Sequence, residues 1–302
     1  MLARGSAFVR GHPLLTPLLI VYAAINVLAV VFEFGASHVP INVLLLVAYI
    51  AVIHFATRDR PFAGPAARHP NSRSRDFGLA VTVAILQFAG VAIFWFVVIS
   101  HGLAGVWVAD LKGAGLPPLL ASKAVNAAIA VPLLLLPTLV AIVAFRFRAG
   151  EVGLTATPRD LLLGLALAVI GIGLALGAVA AGKHPGVMWE SAPLPTVTAA
   201  IALQSLINGV PEELAFRGVM FSRLMPWLGR PGNSLAISTI VFGLYHVPLN
   251  VAAGNSLGLS LAIGLFGLLP GLLLGYVFYR TRSMWPGAIW HTSFSGVGLL
   301  FW

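Results

Sequence analysis

Two adjacent glutamates, Glu212 and Glu213, stand near the end of a long apolar run that begins at Val197. The chain has only nine acidic residues, so a pair at this position calls for a reason. A charge at bilayer depth costs about 2.5–3.5 kcal/mol, and such residues as a rule face a cavity and have a function. On a helix Glu213 and Arg217 share a face and can neutralise each other, whereas Glu212 is rotated by about 100° and needs another partner.

Two histidines on later apolar segments, His246 and His291, are the candidate partners of Glu212. A helical rise of about 1.5 Å per residue puts Glu212 and His291 in the inner half of the membrane and His246 near its middle. We expect the three side chains to meet in a cavity open to cytosolic water. A carboxylate and an imidazole that share one water can remove its proton, and a second imidazole or an amide can stabilise the oxyanion on an attacked carbonyl. The three residues therefore predict hydrolysis.

The same three residues could hold a divalent metal, because one Glu and two His form a known catalytic zinc site. The His-Glu-x-x-His helix of common zinc proteases is absent from the sequence. The chain has no cysteine, which excludes disulfides, thiolate metal sites and cysteine nucleophiles. The residues alone leave both a metal-free water and a metal such as zinc open.

The composition predicts a polytopic all-α membrane protein in which these residues are embedded. Hydrophobic residues make up 59% of the chain and charged residues 9%, with a mean hydropathy of +0.96, whereas soluble domains carry about 25% charged residues. The net charge of +9 does not indicate nucleic-acid binding, since the basic residues are spread over short loops. The lipid bilayer is the expected surroundings of the chain.

Stretches of about 20 apolar residues predict nine membrane spans, with eight as the alternative. The predicted spans are 14–34, 40–56, 77–100, 124–145, 161–181, 196–225, 234–248, 257–279 and 285–302. With the N-terminus inside, all fifteen arginines fall on the inner side and the three lysines on the outer side. This asymmetry predicts a cytoplasmic N-terminus and an outer C-terminus in the cell (inner) membrane.

The chemistry-bearing residues all lie in the last third of the chain. We therefore predict a division into residues 1–195, which hold five spans with few polar residues, and a catalytic region at 196–302. Pro132 and Pro137 in the fourth span favour a kinked helix. A broken transporter helix is the alternative, and with intramembrane Glu and His it keeps a transporter or proton relay open as a function.

Three motifs in the last third resemble those of a known family. Glu212-Glu213-x-x-x-Arg217, Phe242-x-x-x-His246 and His291-x-x-x-Ser295 are similar to the signature motifs of the CAAX protease and bacteriocin-processing (CPBP) family. That family includes the type II CAAX prenyl endopeptidases and the bacterial Abi proteins. The run from Gly271 to Pro286 also resembles the family's sequence before its last histidine, so the resemblance covers about residues 200–300.

The resemblance implies an intramembrane endopeptidase acting on a peptide or a membrane protein. It implies that Glu212 and His246 activate the water, that His291 helps to bind the oxyanion, and that Glu213 and Arg217 support the site. The favoured account of the family's prenyl proteases needs no metal. The family's last motif usually ends in Asn or Asp where this chain has Ser295, and Asn250 is a candidate substitute donor. This departure keeps open a scaffold or immunity-type protein that retains the fold without turnover.

Overall fold

The computed structural model describes residues 13–29, 38–60, 73–94, 98, 101–180, 193–252 and 254–297. Within these residues every regular element is helical. The helices are α1 (Leu15–Ala29), α2 (His38–Ala56), α3 (Arg73–Ile93), α4 (Leu103–Gly113), α5 (Pro118–Ala130), α6 (Leu136–Ala144), α7 (Pro158–Ala180), α8 (Leu194–Gln204), α9 (Val210–Glu212), α10 (Ser222–Leu228), α11 (Pro231–Ala252), α12 (Leu257–Phe266), α13 (Leu268–Thr281) and α14 (Trp285–Val297). The predicted all-α class is confirmed for the described part of the chain.

Four helical stretches among the described residues are long and apolar enough to cross a membrane. They are Arg73–Ile93, Pro118–Ala144, Pro231–Val251 and Leu257–Thr281. Large apolar side chains also stand exposed on helix surfaces, among them Val143 at 73% and Val169 at 67% exposure. Apolar surface of this extent is what a helix in contact with lipid presents. The protein is a multi-pass membrane protein, while the count of nine spans and the orientation stay predictions.

The described helices begin and end several residues away from the predicted spans in most cases, and the largest differences lie around the fourth span. The segment between the third and fourth predicted spans contains α4, a short helix without buried residues. The predicted span 124–145 begins earlier, at Pro118, because proline is well suited to the first turn of a helix. Parts of the first and last predicted spans, 30–34 and 298–302, lie outside the described residues.

π-Helical turns interrupt the α-helices at Val131–Leu135, Ser205–Gly209 and Glu213–Phe221. The first two adjoin proline, which cannot donate a backbone hydrogen bond and clashes with the carbonyl four residues earlier. Val210, directly before Pro211, donates its backbone N–H to the carbonyl of Ser205, five residues earlier. Pro132 and Pro137 thus lie within one continuous helical stretch from Pro118 to Ala144, and the predicted kink stays a prediction.

The chain divides into two compact units that interleave along the sequence. The first unit comprises 1–84 and 216–282, and the second comprises 85–215 and 283–302. This is a division by packing, so the predicted division at residue 195 into family-unspecific and catalytic regions stays a prediction.

The first unit has an apolar core that joins α1 to α11 and α13. Its buried members are Leu15, Leu18, Ala236, Leu268 and Leu272. Two arginines of the first unit are buried beside polar partners. The Arg223 Nη1 lies 3.3 Å from the Asp76 Oδ1, and the Arg280 guanidinium donates to the hydroxyl and carbonyl oxygens of Thr57. Because Arg223 has an acidic partner and Arg280 donates hydrogen bonds to Thr57, these arginines can be buried without the full penalty of an isolated ion.

The crossing of α11 and α12 depends on two glycines that face each other. A Cβ added at Gly243 would lie 2.7 Å from the Gly264 carbonyl oxygen, and a Cβ at Gly264 would lie 2.7 Å from the Gly243 carbonyl oxygen. Real Cβ contacts to backbone atoms are not this short, and backbone cannot rotate away as a side chain can. Small residues at such a crossing let two membrane helices approach closely.

We expect Gly243→Ala to destabilise the first unit by about 1–3 kcal/mol, the usual penalty for overpacking. The measurement is thermal unfolding of the purified protein in detergent. Gly258→Ala is the matched control, since a Cβ there meets nothing within 4 Å and alanine improves helix propensity. Equal unfolding temperatures for the two variants would contradict the close crossing.

The second unit is built around α5, α7 and α14. Gly164 of α7 lets α14 pack closely, since a Cβ there would lie 2.9 Å from the Cα of Pro286. At the start of α14 the Trp285 Nε1–H donates to the Leu154 carbonyl oxygen at 2.8 Å, and the backbone N–H of Met284 donates to the Gly153 carbonyl at 2.9 Å. These contacts fix where α14 begins, and with it the depth of His291.

Candidate active site

The second unit brings Glu212, Glu213 and His291 together in a buried cluster. The imidazole Nδ1 of His291 is 2.9 Å from the Glu213 Oε1, and its Nε2 is 3.7 Å from the Glu212 Oε2. Exposure is 4% for Glu212, 0% for Glu213 and 7% for His291. The structure therefore places two carboxylates on one imidazole, one at hydrogen-bond distance and one just beyond it.

With Glu213 ionised and His291 neutral, the 2.9 Å contact between them selects one tautomer of the ring. An ionised carboxylate only accepts hydrogen bonds, so the short contact requires the proton of the neutral imidazole to be on Nδ1. The lone pair is then on Nε2, the atom that faces Glu212. Glu213 thus orients the ring and sets which of its nitrogens is basic.

The helix that carries the two glutamates is irregular at this point. Glu212 ends the single turn α9, and π-helical turns lie directly before and after it, at Ser205–Gly209 and Glu213–Phe221. π-Helical turns in proteins are rare and occur often at functional sites. Here the Pro211 ring removes one backbone donor, and the wider turns change the direction in which the neighbouring side chains project.

A glycine one helical turn from this cluster permits the close approach of α14. A Cβ added at Gly209 would collide with the Thr292 hydroxyl oxygen and would lie 3.1 Å from the Ala288 carbonyl oxygen. Thr292 follows His291 directly, so the closeness of this contact sets the distance between His291 and the glutamates. A side chain at position 209 requires the Thr292 hydroxyl to turn away and the Ala288 carbonyl of α14 to shift.

We expect Gly209→Ala to lower peptide hydrolysis about 10-fold or more, because displacement by about 1 Å can cost up to 100-fold. The measurement is kcat on a cleaved peptide, with membrane insertion checked in parallel. The companion variant Gly209→Ala/Thr292→Ala removes the colliding hydroxyl and is expected to recover part of the rate. If Gly209→Ala is fully active, the tight approach is not needed.

The third predicted residue, His246, belongs to the first unit. Its Nδ1 is 2.8 Å from the Phe242 carbonyl oxygen. A carbonyl only accepts, so Nδ1 carries the proton of the neutral ring and the lone pair is on Nε2. The rings of Phe242 and Tyr245 hold the half-buried imidazole by edge contacts, with centroids 4.6 and 5.4 Å away. Its predicted meeting with Glu212 and His291 stays a prediction.

Arg217, a predicted supporting residue, also lies in the first unit, where it packs on the Phe242 ring. Its guanidinium carbon is 4.2 Å from the ring centroid, and Nη2 donates to the Gly271 carbonyl oxygen at 3.3 Å. The arginine thereby fixes the ring whose backbone carbonyl holds His246. The contact described for Glu213 is with His291, and the predicted pairing of Glu213 with Arg217 stays a prediction.

The predicted donors Ser295 and Asn250 have partners within their own units. Ser295 Oγ accepts a hydrogen bond from the Asn208 amide at 2.9 Å, and Asn250 Nδ2 donates to the His246 carbonyl oxygen at 2.8 Å. Asn208 is a residue that the sequence prediction missed. The available signal was its spacing, since it stands four residues before Glu212.

A metal site requires several His, Asp or Glu side chains close together. In the described part of the chain no group of three His, Asp or Glu side chains has an arrangement that could hold a metal ion. Within the second unit, the only imidazole of the cluster also has its Nδ1 occupied by Glu213. Glu212 and His291 are two possible ligands within the second unit, and the predicted third ligand, His246, belongs to the first unit, so a metal held by these three residues stays a prediction.

Comparison with known proteins agrees with the motifs. Residues 194–297 match the family model described as Rce1-like, type II CAAX prenyl endopeptidase. The match contains every motif residue named above and includes the whole Glu212–Glu213–His291 cluster. Neither curated proteins nor solved structures give a match to the chain. The resemblance predicted from the three motifs is therefore confirmed: from residue 194 to 297 this membrane protein is similar to the Rce1-like type II CAAX prenyl endopeptidases, members of the CAAX protease family.

Proposed function

We propose that the protein is an intramembrane endopeptidase that hydrolyses a peptide bond with a water activated by Glu212 and histidine. The observation that carries the proposal is the buried cluster in which the His291 imidazole lies between the Glu213 and Glu212 carboxylates. The Rce1-like match supports a peptidase of this type.

The geometry supports one water held by two acceptors. Atoms 3.7 Å apart, as Glu212 Oε2 and His291 Nε2 are, can each accept a hydrogen bond from a single water about 2.8 Å from both. Both hydrogens of that water are then directed at the protein. Its oxygen lone pairs point outwards, which is the orientation that attack on a carbonyl carbon requires.

Proton movement follows from this arrangement. As the oxygen attacks, one of its protons passes to the lone pair on the His291 Nε2, which acts as general base, while Glu212 accepts a hydrogen bond from the other proton. An imidazole that has accepted the proton becomes a donor at Nε2 and can stabilise the oxyanion, the role predicted for His291. The same proton is then returned to the leaving amine. Glu213 stabilises the imidazolium and keeps its orientation throughout.

The resemblance implies that His246 activates the water together with Glu212, and we propose His246 as a further base for that water. The hydrogen bond from its Nδ1 to the Phe242 carbonyl leaves Nε2 with a lone pair. The stacked Arg217–Phe242 pair supports that geometry within the first unit. No metal is part of this proposal, and unchanged turnover after dialysis against a strong chelator is the expected result.

The substrate is a peptide or membrane protein that reaches the active site from the bilayer. Two probes distinguish the substrate classes: a farnesylated peptide ending in a Cys-a-a-X motif, and a single-span peptide without a lipid. The arginine-rich, lysine-poor and cysteine-free composition resembles that of a bacterial protein, and because prenylated substrates are not expected in bacteria, the second probe is favoured. In the predicted orientation, with the N-terminus inside, the glutamates lie towards the cytoplasm. We therefore expect the substrate to be cleaved near the cytoplasmic side of the membrane.

The experiment is a cleavage assay with the purified full-length protein in liposomes, read by mass spectrometry of both probes. Release of a defined product pair that depends on Glu212 supports the proposal. Failure to cleave either probe, together with a cellular role that survives Glu212→Ala, would indicate the scaffold or immunity-type alternative. Ion or proton flux in the same liposomes would indicate the transporter alternative.

A further inference from the structure

Asn208 and Ser295 form a second pair between the same two helical segments that hold the carboxylate–histidine cluster. The Asn208 amide donates to the Ser295 hydroxyl oxygen at 2.9 Å. Asn208 precedes Glu212 by four residues and Ser295 follows His291 by four, so this pair is about one helical turn, or about 6 Å, from the cluster.

The hydrogen bond leaves the Ser295 hydroxyl with its own proton to donate. A hydroxyl has one donor and two acceptor positions, and Asn208 uses one of the acceptor positions. A donated bond polarises the hydroxyl and strengthens the bond that it donates in turn. With the amide turned the other way, Ser295 would donate to Oδ1 and the Asn208 NH₂ would be the remaining donor. The pair presents a neutral donor in either case.

One polar atom of the Asn208 side chain is buried and is available to a bound substrate. Among the described residues its Oδ1 is buried without a hydrogen-bond partner. Buried polar atoms nearly always have a partner, supplied by protein, water or a bound molecule. A peptide substrate carries backbone N–H groups that can donate to such an oxygen.

The distance and charge of the pair suit the oxygen of the attacked carbonyl. The water lies about 3 Å from the carbonyl carbon, and a donor lies about 3 Å from the oxyanion, so the donor belongs about 6 Å from the water. The protonated His291 donates to the oxyanion from the carboxylate end of the site, where Glu212 and Glu213 also repel the developing negative charge. A neutral donor one helical turn away meets that charge without repulsion.

We propose that Asn208 is a positioning residue for the hydrolysis, holding the Ser295 hydroxyl so that it donates to the oxyanion. This inference rests on the proposed function. In the related family an Asn or Asp usually stands at position 295, and here the Asn208–Ser295 pair would donate the hydrogen bond to the oxyanion instead. Asn208, rather than Asn250, then compensates for the shorter serine side chain.

The experiment relocates the amide. Asn208→Ala and the isosteric Asn208→Asp, which cannot donate an amide hydrogen, are compared with Ser295→Asn and with Asn208→Ala/Ser295→Asn. Each full-length variant is assayed in liposomes on the probe that the wild type cleaves, with kcat and KM measured separately and thermal unfolding as the folding control. Loss of one oxyanion-site donor typically lowers kcat about 100-fold or more.

Asn208→Ala and Asn208→Asp are expected to lower kcat at least about 10-fold with KM within about 2-fold, since the bond to be lost forms in the transition state. Asn208→Ala/Ser295→Asn is expected to recover at least about 10-fold in kcat over Asn208→Ala, because the amide is restored on the other helix. Ser295→Asn alone establishes that the longer side chain is accommodated.

Three results would overturn the inference. The first is wild-type kcat in both Asn208 variants while Glu212→Gln is inactive, which leaves the proposed function intact. The second is a loss that matches lowered thermal stability and is not recovered by the relocated amide, which indicates a structural role. The third is a wild type that cleaves no probe, which overturns the proposed function and this inference with it.

Discussion

Glu212→Gln is expected to lower peptide hydrolysis about 100- to 10,000-fold, the range that general-base catalysis contributes. Glutamine keeps the shape of the side chain and removes the basic oxygen that faces the His291 Nε2 at 3.7 Å. The water then has one acceptor fewer and an amide beside it that can donate instead. The measurement is kcat/KM on the cleaved probe in liposomes, with substrate concentration varied.

The matched control for this change is Glu151→Gln. Glu151 lies in the short 3₁₀ turn Ala149–Val152, where its carboxylate accepts the backbone N–H of Arg148 at 2.6 Å. The same chemical change there is expected to leave kcat/KM within about 2-fold, since surface substitutions have small effects. Equal activity of the wild type and Glu212→Gln would remove Glu212 from the reaction.

Glu213→Gln is expected to be nearly as damaging, about 100- to 1,000-fold in kcat, although Glu213 does not touch the water. In serine proteases an amide in place of the carboxylate behind the catalytic imidazole favours the wrong tautomer and costs about 10,000-fold. Here a glutamine NH₂ facing the His291 Nδ1 would move the ring proton to Nε2. The lone pair would then be on the wrong side of the imidazole, and the ring could not accept a proton from the water.

The tautomer can be read directly in this variant. Nitrogen NMR of selectively labelled histidine is expected to report Nδ1–H for His291 in the wild type and Nε2–H in Glu213→Gln. Glu213→Asp, which keeps a carboxylate but shortens it, should retain the wild-type tautomer with a smaller loss in kcat. A wild-type kcat together with an unchanged tautomer in Glu213→Gln would mean that Glu213 does not orient the ring.

The residue types that carry the site could be predicted from the sequence because buried charge in a membrane is costly. Glu212, Glu213 and His291 stood out as ionisable groups in apolar runs, and two of the three pairwise contacts among them are present in the structure. Their lateral placement could not be predicted. Periodicity along a helix favours a partner on the same helix, and Arg217 was the partner expected for Glu213.

Asn208 and Gly209 are two residues whose roles could not be predicted from the sequence. Both lie in a π-helical turn, and a prediction based on an α-helical spacing gives wrong directions for side chains there. Their importance depends on which residues of α14 lie opposite them, namely Thr292 and Ser295. An asparagine and a glycine in an apolar helix are ordinary residues until the neighbouring helix is known.

The most direct test of the account is the coupling between Glu212 and His291 in catalysis. Glu212→Gln, His291→Ala and the double variant are compared by single-turnover cleavage with enzyme in excess, so that very slow rates remain measurable. Because groups that act on one water lose their effect together, the double variant is expected to be no more than about 10-fold slower than the slower single variant. Losses that multiply in the double variant, or a near-normal rate in either single variant, would contradict a shared water between the two side chains.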